Sequence, residues 1–259
     1  MLKQPLDLAR CRILVSNDDG INAPGLKILV KVARALSRDV WVVAPEAEQS
    51  GAAHSLTLRR PLQVRRIGPR RFAVDGTPTD CVLVAINHLV TGRKPDLVLS
   101  GINRGANLGE DVTYSGTIAA AMEATLLGIP AIALSQLRNG QNVRWQTAEH
   151  HAPKVIRRLT SFAWGPDVLM NVNFPNLPAQ QVKAARMVKQ GRRSSSIEVL
   201  PISDPVGRKY LWVGDFTTDE TVQIDTDLAA TGDGAIAVTP LHLDLTDHRT
   251  LRRLKGEWR

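Results

Sequence analysis

Along residues 12–135 the apolar positions switch repeatedly between two spacings. Residues 12–16 form an apolar run of strand length, and residues 25–37 then place Leu26, Leu29, Val30, Ala33 and Leu36 at helical spacing. A second strand is predicted at 40–44, and residues 62–67 and 71–74 read as a hairpin around Gly68-Pro69. Thr77-Pro78-Thr79-Asp80 carries an N-cap, a proline at the first helical position and an acid at the third, opening a helix to about residue 90. Strands follow at 96–100 and 130–135, with an alanine-rich helix over 115–127 between them that stops at Gly128. Alternating strands and helices imply right-handed crossovers, and the nearly continuous apolar strand runs imply burial on both faces. The predicted fold class is α/β: a Rossmann-like, doubly wound, mostly parallel sheet with helices on both faces.

Beyond residue 135 the pattern loosens. Residues 145–162 read as a helix and 168–172 as one more core strand. β segments at 182–188, 210–213 and 235–239 are separated by a Gly/Ser/Pro-rich stretch over 191–207, and a basic helical tail closes the chain. Long loops are commonly exposed or functional, so a mobile β arm or hairpin is expected around 190–210. The expected division is an α/β core over 1–180, with the hairpin at about 61–75 inserted in it, and a C-terminal β arm and tail over 181–259.

Composition narrows the class. A chain of 259 residues that is 43% hydrophobic and 22% charged has the make-up of an ordinary globular protein. No apolar run approaches the roughly 18 residues of a membrane span, so no membrane partner is expected. The polar start, with Asp7, does not read as a secretory signal. The two cysteines, Cys11 and Cys81, exclude a disulfide scaffold and a four-cysteine zinc site, and their apolar contexts predict buried, reduced thiols. A cytoplasmic location is the expectation.

The net charge of +8 invites a nucleic-acid reading. However, the basic residues come in scattered pairs such as Arg59-Arg60 and Arg192-Arg193, and aromatics are only 4% of the chain, too few to interleave with them. A solvated basic surface, or one that draws in small anions, accounts for the charge, and no specific nucleic-acid partner is expected.

In open parallel sheets, ligands bind beyond the carboxyl ends of the strands. The first strand exit delivers Asn17, Asp18, Asp19 and Gly20; the second delivers Glu46, Gln49, Ser50 and Gly51; the exit after 96–100 delivers Gly101, Asn103, Gly105 and Asn107. Asp-Asp-Gly is also ordinary turn chemistry. Two like charges at a sheet rim nevertheless repel unless a cation lies between them, and an all-oxygen set suits magnesium or manganese better than zinc. Tyr114-Ser115-Gly116-Thr117 opens the alanine-rich helix, where unpaired N–H groups and two hydroxyls could cradle an anion, although Ser115 would serve equally as a plain N-cap. A cation facing an anion cradle points to phosphoester hydrolysis. No phosphate-binding P-loop, dinucleotide fingerprint, G-x-S-x-G elbow or H-E-x-x-H motif occurs. His150-His151 reads as surface, and His54 lies near enough to the rim to reach a substrate.

These residues carry a resemblance. Ile13-Leu-Val-Ser-Asn-Asp-Asp-Gly-Ile-Asn-Ala-Pro-Gly25 resembles the opening of the SurE family of metal-dependent nucleotidases. The likeness continues through Glu48-Gln-Ser-Gly51, Gly76-Thr-Pro-Thr-Asp-Cys81, Ser100-Gly-Ile-Asn-Arg-Gly-Ala-Asn107, Tyr114-Ser-Gly-Thr117 and Thr239-Pro-Leu241. It implies one divalent metal per subunit (Mn2+, Mg2+ or Co2+) on Asp18, Asp19, Ser50 and Asn103, and a substrate set of Asn17, Asn107, Ser115, Gly116 and Thr117. The implied reaction is hydrolysis of nucleoside 5′- and 3′-monophosphates, and of short polyphosphate, by in-line attack of a water that the metal acidifies while Asp18 and Asp19 hold it. The resemblance also implies a homodimer or homotetramer whose C-terminal arm packs on a partner subunit. Two rivals stand beside it. A haloacid-dehalogenase-type phosphatase would use an aspartyl nucleophile in a D-x-D motif, where this chain has Asn17-Asp18-Asp19. A basic nucleic-acid-binding protein would bind oligonucleotides with strong salt dependence and no hydrolysis.

Overall fold

The computed structural model describes residues 5–193, 197–216 and 223–258. β1 (Arg12–Ser16) leads through α1 (Pro24–Leu36) to β2 (Asp39–Pro45), then to a hairpin of β3 (Val64–Gly68) and β4 (Arg71–Val74). Next come α2 (Pro78–Val84), β5 (Leu97–Arg104), the short α3 (Asp111–Tyr114), α4 (Gly116–Leu126) and β6 (Ala131–Gln136). A small ribbon, β7 (Arg138–Asn139) and β8 (Asn142–Val143), precedes α5 (Trp145–Thr160) and β9 (Val168–Phe174). The remainder holds β10 (Lys183–Met187), β11 (Ile197–Ser203), β12 (Lys209–Phe216), α6 (Asp227–Gly232), β13 (Ala235–His242) and α7 (His248–Glu257).

Among the described residues the main sheet has nine strands in the order β10-β13-β9-β6-β5-β1-β2-β4-β3. The six from β4 to β9 pair in parallel, and the direction of winding reverses between β1 and β5. That reversal is the switch point where doubly wound sheets open a crevice. β3 and β13 pair antiparallel, β3 with β4 on one flank and β13 with β9 on the other.

Alternation along β1 builds the two apolar layers. Ile13 and Val15 pack with Leu26 and Leu29 of α1 and Ile156 of α5, whereas Leu14 packs on the opposite face with Val82 of α2 and Ile118 of α4. The predicted start of α2 is a full capping box: the Asp80 N–H donates to Thr77 Oγ1 (3.1 Å) and the Thr77 N–H donates to Asp80 Oδ2 (2.9 Å). Cys11 and Cys81 are buried free thiols, as expected from their neighbours.

The structure corrects several boundaries. β5 does not stop at Ser100 but runs to Arg104, because a bulge lets it continue: Ser100 pairs with Ala133, yet Asn103 pairs with Ser135. Gly101 makes that bulge possible, with φ +128° and a position where a Cβ would lie 2.2 Å from the Leu134 carbonyl oxygen. The hairpin expected around 190–210 is present, as β11 paired antiparallel with β12; residues 194–196 lie outside the described residues. Residues 182–188 and 235–239 contribute β10 and β13 to the main sheet. His151 is half-buried, its Nε2 2.9 Å from the Ala179 carbonyl, rather than a plain surface residue.

Candidate active site

The carboxyl ends of β1, β2 and β5 and the start of α4 surround a cleft of about 460 Å3. Asp18, Asp19, Ser50, Asn103, Asn107 and Ser115 all line it, so three strand exits and one helix start converge as the residue types suggested. The turn after β1 is closed by Asn17, whose Nδ2 donates to the Gly20 carbonyl (3.0 Å). The Gln49 N–H donates to the Asp18 carbonyl (2.8 Å), tying the β1 exit to the β2 exit. The Arg104 N–H donates to Asp19 Oδ2 (3.2 Å), tying it to β5. Thr117 Oγ1 donates to Asp18 Oδ1, tying it to α4. The turn that carries the two carboxylates is therefore held from three directions.

Gly116 allows the fourth element to come close. A Cβ there would sit 2.8 Å from Asp18 Cβ, so only glycine lets the start of α4 press against the first strand's exit. Ser115 caps the helix by accepting the Ile118 N–H (3.0 Å), and its own hydroxyl proton stays available to a ligand. Asn17, Gly116 and Thr117 do not line the cleft; they are buried behind it. The hydroxyl of Thr117 orients Asp18 in this structure. His54 also lies outside the cleft, with Nε2 3.1 Å from Glu123 Oε2.

Electrostatics mark the pair of aspartates. Burial raises the Asp18 carboxyl above its usual range, against the lowering effect of the Thr117 hydrogen bond. Burial and then the neighbouring Asp18 charge push Asp19 up to about 6. Both groups are strained when charged and would be relieved by a cation between them. Among the described residues no three His, Cys, Asp or Glu side chains cluster as metal ligands. The candidate set is two carboxylates with a hydroxyl and a carboxamide, an all-oxygen group that fits a hard divalent ion.

Sequence reasoning passed over other residues of this cleft. Arg104 and Arg138 stand on its wall, and Glu48, Asp111, Tyr114 and Gln141 complete it. Glu48 accepts the Ser50 hydroxyl (2.7 Å). Asp111 is half-buried, and its desolvation raises its carboxyl despite two contacts from Arg193 at 3.0 and 3.1 Å. Glu48, Arg104 and Tyr114 lie inside the quoted motifs without a role assigned to them, whereas Asp111, Arg138 and Gln141 carried no local motif.

Comparison with known proteins identifies the family. The family model for "Survival protein SurE" matches residues 13–197. The chain belongs to the SurE family. Among its SurE relatives, the "5′-nucleotidase SurE" of Paramagnetospirillum magneticum is 58% identical over 96% of each chain. That of Rhodospirillum rubrum is 54% identical over 96% of this chain and 97% of its own. The crystal structure of the SurE protein from Aquifex aeolicus superposes with a TM-score of 0.82 at 38% identity, covering 96% of this chain and 100% of that one.

Proposed function

We propose that this chain is a nucleotidase that hydrolyses nucleoside 5′-monophosphates, and 3′-monophosphates as well, to nucleoside and phosphate with one divalent cation. The observation that carries the reading is the pair of mutually repelling carboxylates, Asp18 buried and Asp19 half-buried, at the β1–β5 switch point, facing a helix start across one cleft. Relatives at 52–58% identity that bear the name 5′-nucleotidase support it. Asp18, Asp19, Ser50 and Asn103 would hold the ion; Mn2+, Mg2+ and Co2+ all suit oxygen donors. Such an ion supplies Lewis acidity toward the phosphoryl group and acidifies water.

The remaining work falls to this chain's own groups. Thr117 fixes the rotamer of Asp18 by donating to it. The Ser115 hydroxyl meets phosphoryl oxygens as charge develops on them, joined by the carboxamide of Asn107. Arg104 and Arg138 favour an anionic substrate at the mouth, and short polyphosphate is a longer one of the same chemistry. The basic surplus elsewhere is interleaved with acids: Arg60 pairs with Asp75, Arg65 with Glu46 and Arg70 with Asp39. That interleaving argues against a continuous phosphate-binding strip.

Phosphate release from a panel of nucleotides, in chelator and with each cation restored, tests the activity. Release should vanish in chelator and return with Mn2+, Mg2+ or Co2+; full activity in exhaustively chelated protein would remove the cation from the scheme.

Self-association is the second part of the proposal. Among the described residues β11 and β12 pair only with each other. Their residues Val199, Leu211, Trp212 and Val213 are 52–72% exposed. A lone two-stranded ribbon is marginal in water, so we infer that this apolar ribbon packs against a partner subunit; the compartment proposed is the cytoplasm. Light scattering should give a dimer or tetramer at micromolar concentration; a monomer there would overturn the assembly and leave the chemistry in place. No helix among the described residues is long and apolar enough to cross a membrane.

A further inference from the structure

β9 carries two asparagines, Asn171 and Asn173, where a central strand ordinarily carries apolar side chains, and neither has any exposure to solvent. Their spacing of two places both on the face shared with α4. On the other face Val172 and Phe174 pack in the apolar layer of α1 and α5. The strand registers align Asn103 of β5 with Ser135 of β6, and Ser135 with Asn173 of β9. A polar row thus crosses three strands at the level of the cleft.

Both asparagines converge on Asn107. Asn173 Oδ1 accepts the Asn107 N–H (2.9 Å), and Asn173 Nδ2 donates to the Asn107 carbonyl (3.1 Å). Asn171 Nδ2 donates to the same carbonyl (2.8 Å), and its Oδ1 accepts from Asn173 Nδ2 (3.2 Å). The side chain of Asn107 is held as well, its Nδ2 donating to Ser135 Oγ (2.7 Å). The carboxamide of Asn173 meets both backbone groups of one residue, as a neighbouring strand would. A flipped amide would set N–H against N–H and oxygen against oxygen, so the network itself determines the orientation. A buried polar cluster needs every member satisfied, and here the members are satisfied by one another and by one residue that lines the cleft.

We propose that Asn173, seconded by Asn171, is a positioning residue: it holds the peptide of Asn107 rigid so that the Asn107 side chain is presented to the phosphoryl group. The inference rests on the nucleotidase reading above. Neither residue touches the candidate cation set, which separates its effect from that of Asp18 or Asp19.

A double-mutant cycle on a nucleoside monophosphate tests it. Asn173→Ala should lower kcat about 10- to 100-fold. Its Mn2+ affinity by titration calorimetry should stay within about two-fold of wild type, because Asp18, Asp19, Ser50 and Asn103 are unchanged. Added to Asn107→Ala, the same substitution should change kcat less than about two-fold further, since its route runs through Asn107. Asn171→Ala removes one donor and keeps the Asn173 pair, so it carries a milder form of the same cycle where Asn173→Ala does not fold. Wild-type kcat and KM with only a lowered Tm would overturn the inference, as would a full loss repeated in the Asn107→Ala background. A wild-type chain inactive on every nucleotide would instead remove the nucleotidase reading itself.

Discussion

Asp18→Asn is expected to give a folded protein whose phosphate release has fallen on the order of 10^3-fold, roughly 4 kcal/mol of barrier. Asparagine keeps the shape and still accepts the Thr117 hydroxyl, so the turn after β1 should hold. What disappears is one of the two negative charges that make the cleft a cation site. The stability effect runs the other way. With the cation chelated, Asp18 and Asp19 titrate above their unfolded values, so the native state binds protons more tightly than the unfolded chain. Their stabilising protonation is complete below about pH 4 and is lost as pH rises through about 6 for Asp19. Chelated wild type should therefore lose Tm across that window, and Asp18→Asn should lose less. At neutral pH the chelated variant should melt equal to or a few degrees above chelated wild type, taking about 2–4 °C per kcal/mol for a chain of this size. A variant both inactive and badly destabilised would make Asp18 a structural residue first.

Gly101→Ala should be severely damaging, although it adds a single methyl. The new Cβ would fall 2.2 Å from a backbone oxygen, which cannot swing aside as a side chain can, and φ +128° is strained for any L side chain. A loss of about 4 kcal/mol or more, seen as a Tm drop of roughly 10 °C or failure to accumulate as folded protein, is the expected result. Calorimetry on whatever folds should also find weakened cation binding, because the bulge at Gly101 sets the position of Asn103. Unchanged Tm and cation affinity would mean that the sheet accepts an unbulged β5.

The first half of the chain was legible because its elements obey local rules. The capping box at Thr77–Asp80, the apolar strands and the Asp18-Asp19 exit each follow from a few neighbouring residues. Elsewhere the deciding interactions were distant. β11 contains Pro201, which argues against a central strand, but a ribbon whose strands are both edges tolerates a residue without an N–H. The continuation of β5 past Ser100 depends on a close approach to Leu134 that the Ser-Gly-Ile-Asn sequence does not declare. The site's supporting layer was missed for the same reason: Asn171 and Asn173 lie more than sixty residues along the chain from the residue they hold. Their local signal, two amides at alternate positions in an otherwise apolar strand, was available and went unread.

The insertion of β13 between β9 and β10 bears on the order in which the protein can be made. Among the described residues β10 has no main-sheet neighbour except β13, which is translated later. At roughly 5–20 residues per second, a growing chain spends several seconds with β10 synthesised and no strand to receive it. During that interval the outer edge of β9 presents unpaired backbone groups to any other strand nearby. Messages truncated before residue 235 would leave this edge open for good. Such fragments should therefore be drawn to chaperones or to one another even though all six strands of the parallel core are already present.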